Sequence, residues 1–358
     1  MNNLKQYGWS DRLTEAWNAS NFPHGYLPAR ITADFGRKYT VVTPDQQTAT
    51  LAGTLTHSLT STDMPKVGDW VAIEQTDGRH VIQAVLPRKT EIVRGHIGRI
   101  QTKQVVAANI DIAFVMQALN NDYSLERLER YIFQLSQQNI IPIVLLNKAD
   151  KSSENVERQQ EVKSLGVECH IISALHDTDV SVVEAHITPG STAVIMGSSG
   201  AGKSTLTNRL LGSETQATAA VRKQDGKGRH TTIHRELFLL PSGGMLVDTP
   251  GIRELQLWGS VADLHEVFDD IKEAIDACKF TNCTHGSEPG CVVQARLRDG
   301  TLDARRYRTY TNFVNELKSL QDYSGLIAER RAMQSKATAK RRQARQLRYS
   351  QDKDDYTV

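Results

Sequence analysis

The segment Gly197-Ser198-Ser199-Gly200-Ala201-Gly202-Lys203-Ser204 has the spacing Gly-x-x-x-x-Gly-Lys-Ser. Glycines so placed let backbone N–H groups turn inward around phosphate, at the positive end of the helix beginning near Lys203. Lys203 is then positioned for the β- and γ-phosphates of a nucleotide, and Ser204 offers a hydroxyl to Mg²⁺. An apolar strand, Thr192 to Met196, precedes the loop, and Leu206, Leu210 and Leu211 follow it at helical spacing. The motif requires that setting. Asn147-Lys148-Ala149-Asp150, at the end of the apolar run from Ile140, selects the base. A carboxylate at Asp150 accepts from both N1–H and the 2-amino group of guanine, whereas adenine has no such donor pair. Sites built to pair a substrate donor reject analogues lacking it by roughly 10⁴. Ser173-Ala174, after the next strand, fits the short loop that supports the base. The expected ligands are GTP and GDP.

Two further segments concern the γ-phosphate. Asp248-Thr249-Pro250-Gly251 follows the apolar Met245-Leu246-Val247 and places a carboxylate for Mg²⁺ at a strand end, with Gly251 able to sense the γ-phosphate. Between it and the phosphate loop lies the polar stretch Arg222 to Thr232, a threonine-bearing loop of the kind that Mg²⁺ and a γ-phosphate order. Thr232, with Thr231 beside it, is the candidate metal-contacting hydroxyl. Ile252 follows Gly251 where Ras-like enzymes use a water-orienting glutamine, and it cannot hydrogen-bond. Intrinsic hydrolysis is therefore expected to be slow. His230 is the candidate catalytic side chain, with a macromolecular partner completing the site. A solvated basic loop is the plainer reading.

Cys278, Cys283, His285 and Cys291 fall within fourteen positions, and three thiolates with one imidazole suit a closed, structural, tetrahedral Zn²⁺ site. Free buried thiols are the alternative. Cys169, in a strand, reads as a small buried hydrophobe.

These groups need a scaffold, and the 358-residue chain is long enough for several. Residues 1–25 form an N-terminal arm with a short helix from Asp11 to Asn18. Residues 26–100 alternate in the β manner over Ala29–Phe35, Tyr39–Val42, Thr48–Leu55, Asp69–Ile73 and His80–Leu86, which fits a small OB-fold barrel, or alternatively an SH3-like module. Residues 101–258 alternate strand and helix as in a doubly wound α/β sheet. Residues 259–358 read as helical around the Cys/His cluster, with helices over Ala262–Ala277, Arg305–Leu317 and Tyr323–Arg348. From Arg330 to Arg348 there are eight Lys or Arg and no acidic residue. Such a helix suits nucleic-acid phosphates, or is simply solvated. Net charge is only +2, with 39% hydrophobic and 23% charged residues. No apolar run approaches the ~20 residues of a membrane span, and the N-terminus lacks the apolar core of a secretory signal. A cytoplasmic protein is expected, without membrane contact and with no motif for a stable oligomer.

The base-reading motif precedes the phosphate loop, the reverse of the ordinary GTPase order. That order implies a circularly permuted P-loop GTPase domain. With Val67-Gly68-Asp69-Trp70-Val71, Leu86-Pro87-Arg88, Ala108-Asn109-Ile110-Asp111, Gly228-Arg229-His230-Thr231-Thr232, Ile252-Arg253-Glu254 and the Cys/His knuckle, the chain resembles the ribosome small subunit-dependent GTPase family, RsgA (also called YjeQ), over nearly its whole length. The resemblance implies an OB-fold, a permuted GTPase domain and a zinc-containing helical domain. It also implies a role in late maturation of the small ribosomal subunit, binding of its rRNA, GTP hydrolysis stimulated by the subunit, and a catalytic role for the histidine matching His230. A nucleotide-gated RNA-binding module is the competing function. Asn147, Lys148 and Asp150 argue against a kinase or ATPase.

Overall fold

A computed structural model describes residues 2–36, 38–60, 62–95, 103–151, 153–212, 235–248 and 257–320. The chain divides into two compact units, one of residues 1–95 with 103–256 and the other of residues 96–102 with 257–358.

The first unit opens with α1 (Asn2–Lys5) and α2 (Asp11–Ala19), then β1 (Leu27–Asp34), β2 (Lys38–Val42), β3 (Gln46–Leu51), α3 (Gly53–Ser58), β4 (Trp70–Thr76) and β5 (Arg79–Val85). The strands run β1-β2-β3-β5-β4, and β4 pairs back onto β1, so the sheet closes. Only β3 and β5 are parallel, and α3 fills the link between β3 and β4. This is the OB-fold of the two β-modules considered. Ala29, Ile31, Tyr39, Val41, Ala49, Val71, Ile73 and Ile82 fill its interior. The strand expected over 48–55 ends at Leu51. The Ala52 N–H is taken by Ile82 O, and Thr56 N–H bonds back to Ala52 O at 3.1 Å, so the chain turns into helix there. Leu4, Trp9 and Leu13 of the N-terminal segment pack on Trp70 and Leu86 of the barrel. An ion pair absent from the sequence reading pins one end: Arg88 donates through Nε and Nη2 to both oxygens of Asp69, each at 2.8 Å.

A hairpin of β6 (Glu91–Gly95) and β7 (Lys103–Ala108) leads into the α/β part. Its elements are β8 (Ile112–Ala118), α4 (Leu125–Ser136), β9 (Ile141–Asn147), α5 (Asn155–Lys163), β10 (Glu168–Ile171), α6 (Asp177–His186), β11 (Thr192–Gly197), α7 over 203–212, β12 (Arg235–Leu239) and β13 (Met245–Asp248). Ser124 caps α4 by accepting the Arg127 N–H, and Leu128, Tyr131, Ile132 and Leu135 face the sheet. The strand order β10-β9-β8-β11-β13-β12 is parallel except for β12. Chain order and spatial order agree with a permuted GTPase: β11, which feeds the phosphate loop, lies at the centre between β8 and β13.

Barrel and α/β sheet are continuous, because β1 pairs with β12 at Ala33↔Glu236 and Asp34↔Arg235. Arg30, 2% exposed, lies beside that seam. Its guanidinium donates to Tyr7 O, to Gly68 O at 3.2 Å, to Asn109 O at 3.2 Å and to Thr192 Oγ1 at 2.9 Å. Burial draws its pKa down to about 10, against the opposing pull of Asp111 and Asp69. A buried cation with this many acceptors is satisfied only while barrel, N-terminal segment and α/β sheet stay together.

The second unit contains α8 (Val261–Val267), α9 (Asp269–Asp276), α10 (Val292–Asp299) and α11 over 304–320. The single helix expected from 262 to 277 breaks at Phe268, whose ψ of 49° leaves the helical region. Phe268 is fully buried against the rings of Tyr310 and Phe313, and Arg306 lies over its ring while chelating Asp270. The expected helix over 323–348 and its basic stretch lie outside the described residues.

Candidate nucleotide site and metal cluster

Three motif-bearing strands end on one side of the sheet. β9 delivers Asn147, β11 delivers Gly197 and β13 delivers Asp248, while β10 runs on into Ser173. In open α/β sheets the carboxyl ends of the strands are where ligands bind.

Asn147 organises this edge. Its Oδ1 accepts the Ala174 N–H at 2.9 Å, and its Nδ2 donates to Ala201 O at 2.7 Å. One buried side chain thereby ties the loop of Ser173 and Ala174 to the glycine-rich loop after β11, 27 and 54 residues away. Two glycines make the close approach feasible. A Cβ on Gly202 would lie 2.2 Å from Asn147 Nδ2, and one on Gly197 would lie 2.0 Å from Met116 O; both residues also have positive φ. Glycine is needed here by space as well as by torsion.

Lys203 Nζ donates to Gly197 O at 2.8 Å and to Ser198 O at 2.5 Å, so the ammonium is held over the loop. Ser204 is exposed at the start of α7, and Asp248 is half-buried at the end of its strand. Lys148 has φ 67°, which turns the chain sharply after β9. Asp150 is exposed and accepts from Ser173 Oγ at 3.2 Å. Ser199, Gly200 and Ala201 complete the loop, and Thr205 lies within α7.

Sequence reasoning missed two supports of the base loop. Asp179 accepts the Ser173 N–H at 2.6 Å from within α6, and Arg209 of α7 donates to Leu175 O. Neither has a motif; each is defined only by its reach across the fold. Thr231, Thr232, His230, Gly251 and Ile252 lie outside the described residues.

In the second unit, Cys278, Cys283, His285 and Cys291 bring four ligand atoms within 4.8 Å of one another. A tetrahedral ion about 2.3 Å from sulfur and about 2.0 Å from nitrogen sets S···S at about 3.8 Å and S···N at about 3.5 Å. Cys278 Sγ lies 3.6 Å from His285 Nδ1 and 4.0 Å from Cys291 Sγ, and Cys291 Sγ lies 3.8 Å from His285 Nδ1. The donor set and its dimensions fit one metal ion. Although burial pushes the Cys278 thiol up, backbone N–H groups of Val293 and Val292 hold it below its ordinary range. Cys291 also caps α10 by accepting the Gln294 N–H. Gln294 Nε2 donates to His285 O at 2.7 Å, and His285 has φ 58°, so the cluster is braced by the helix it starts.

Strand order, phosphate loop and base-reading strand together define a circularly permuted P-loop GTPase. The RsgA GTPase family model matches residues 85–258. The small ribosomal subunit biogenesis GTPase RsgA of Syntrophotalea carbinolica is 40% identical over 339 residues, covering 91% of this chain and 93% of that protein. The protein of the same name from Opitutus terrae is 38% identical over 87% of this chain and 89% of its own length. Among solved structures, YloQ, a circularly permuted GTPase, aligns with TM-score 0.58 at 24% identity, covering 84% of this chain and 97% of its own. YjeQ from Thermotoga maritima aligns with TM-score 0.60 at 21% identity, covering 82% and 98%. The chain belongs to the RsgA GTPase family, whose members are GTP hydrolases.

Proposed function

We propose that the protein hydrolyses GTP as a late maturation factor of the small ribosomal subunit, binding its rRNA and being stimulated by the subunit. The relatives' name, small ribosomal subunit biogenesis GTPase, supports this reading at 40% identity over 91% of the chain. The observation that carries the nucleotide half is the Asn147 bridge between base loop and phosphate loop. Asp150 pairs guanine, with Lys148 against its ring and Ser173 and Ala174 beneath it. Residues Gly197 to Thr205 wrap the phosphates, and Lys203 leaves the loop carbonyls for phosphate oxygens. Ser204 and Asp248, with Thr232 and Gly251 from segments outside the described residues, hold the Mg²⁺ and γ-phosphate end. Bound Mg²⁺ supplies charge neutralisation to the phosphates. His230 serves the attacking water.

The Cys278/Cys283/His285/Cys291 set takes zinc, because three thiolates and an imidazole at tetrahedral spacing leave no ligand position open. Residues 26–100 then act as the OB-fold domain, 101–258 as the GTPase domain and 259–358 as the zinc domain with its basic tail. The barrel and the tail are the RNA-facing parts. No helix among the described residues is long and apolar enough to cross a membrane, and a cytoplasmic monomer fits the role. Sedimentation of the full chain with purified small subunits tests the partner. Retention with a non-hydrolysable GTP analogue and loss with GDP is the expected result; equal sedimentation with and without subunits would overturn it.

A further inference from the structure

A second group of metal-ligating side chains lies on the α/β sheet, at its edge strand. Glu168 and His170 are two apart on β10 and share a face, while Cys169 between them points the other way and is 3% exposed. His186, the last residue of α6, comes to the same point from the helix. His170 Nε2 lies 2.9 Å from Glu168 Oε1, His186 Nε2 lies 3.1 Å from His170 Nε2, and His186 Nε2 lies 3.5 Å from Glu168 Oε1. The ring of His186 is braced edge-on against Phe114 at 6.4 Å, and Phe114 is fully buried.

We propose that Glu168, His170 and His186 form a second metal site, open to solvent, that takes a single divalent transition ion, zinc foremost. Ligand atoms about 2.0 to 2.1 Å from a tetrahedral ion are about 3.3 Å apart, and the three observed separations straddle that value. Two imidazoles and one carboxylate suit zinc, copper or nickel and select against Mg²⁺ and Ca²⁺, which prefer oxygen. The side chains are 52%, 27% and 24% exposed for Glu168, His170 and His186, so water completes the coordination. This is the three-ligand, one-open-position pattern, unlike the closed Cys₃His set. The ion would join the start of β10 to the end of α6. Those are the ends of the two elements away from the loop carrying Ser173 and Ala174, so the ion would clamp strand to helix without touching the nucleotide site.

The test uses the full chain, loaded with zinc at its Cys₃His site and cleared of loose metal by a weak chelating resin. Zn²⁺ is titrated against a chromophoric indicator, and Cu²⁺ binding is followed by electron paramagnetic resonance. Wild type is expected to take one more zinc equivalent than the His170→Ala/His186→Ala double variant, with a copper spectrum coupled to two nitrogens. Glu168→Gln should weaken that equivalent by more than about tenfold, since losing even an outer-shell partner of a ligand costs about 10- to 100-fold. Equal stoichiometry in wild type and double variant would overturn the proposal and leave a hydrogen-bonded surface triad. The more conservative His186→Gln, with melting temperature and GTP affinity measured before metal is added, separates lost coordination from lost fold.

Discussion

The nucleotide site and the Cys₃His cluster are organised in opposite ways. The first is set by the backbone: strand ends, glycines with positive φ, and one asparagine whose two hydrogen bonds join two loops. The parallel sheet and the turns that follow its strands supply its shape. The second is made of side chains from a loop between short helices, and its four donors converge with little regular structure around them. Ligand loss should therefore empty the first site and unmake the second.

Metal removal is the strongest way to break that comparison. Structural zinc contributes an apparent ~10 to 16 kcal/mol to small metal-dependent folds at neutral pH. Chelation, or Cys278→Ser, should collapse the 278–291 segment, seen as lost helical signal from the second unit, while guanine nucleotide affinity stays close to wild type. Thiolate ligands must lose their protons, so metal retention should also weaken as pH falls.

Next in size is Asp150→Asn, which replaces the proposed acceptor for guanine's two donors. A loss of GTP affinity approaching ~10⁴-fold is expected, read by fluorescent-nucleotide titration, with an unchanged melting temperature because Asp150 is exposed. A shifted melting temperature would mean that the nucleotide site is less independent of the fold than claimed.

Asn147→Ala probes the point where support and recognition coincide. It orphans the Ala174 N–H and the Ala201 carbonyl, each worth about 1 to 3 kcal/mol when buried. Stability and GTP affinity should fall together. Gly202→Ala should act through the same bridge, because the added Cβ would lie 2.2 Å from the hydrogen-bonded Asn147 Nδ2, and the φ of 103° adds strain of roughly 1 to 3 kcal/mol. Thermal melts and nucleotide titration on the same samples measure both.

The sequence was most legible where chemistry is local. Gly197 to Ser204, Asn147 to Asp150 and Cys278 to Cys291 each fall in one short stretch, and the spacing alone carries the meaning. The β alternation of 26–87 was legible as well, apart from Thr48–Leu55: Ala52 N–H makes the last ladder bond, to Ile82 O, and the Ala52 carbonyl is then taken by the Thr56 N–H, which starts the helix over 53–58. Phe268 sits inside the helix expected over 262–277, and the contacts that bury it come from Tyr310 and Phe313, some forty residues on. Arg30 had no signal at all. A lone arginine in an alternating strand looks solvent-facing, and its acceptors come from residues 7, 68, 109 and 192. Asp179, Arg209 and the His170–His186 approach were hidden for the same reason.

The seam between β1 and β12 adds a mechanical consequence to the permuted order. β12 follows the segment that carries His230, Thr231 and Thr232, and it hydrogen-bonds to the barrel. The barrel is thus paired to the strand just beyond the proposed γ-phosphate loop. If that loop answers to nucleotide state as proposed, β12 is its direct backbone route to the barrel.

The proposed dependence of GTP hydrolysis on the small ribosomal subunit is what separates an assembly GTPase from a binding module. It is tested most directly by steady-state GTP turnover of the full chain with and without purified small subunits, across a series of salt concentrations. Slow turnover alone, a large stimulation by subunits, and decline of that stimulation as salt rises are the results predicted. Turnover indifferent to subunits at every salt concentration would contradict the account and leave a nucleotide-binding module whose hydrolysis serves no ribosomal step.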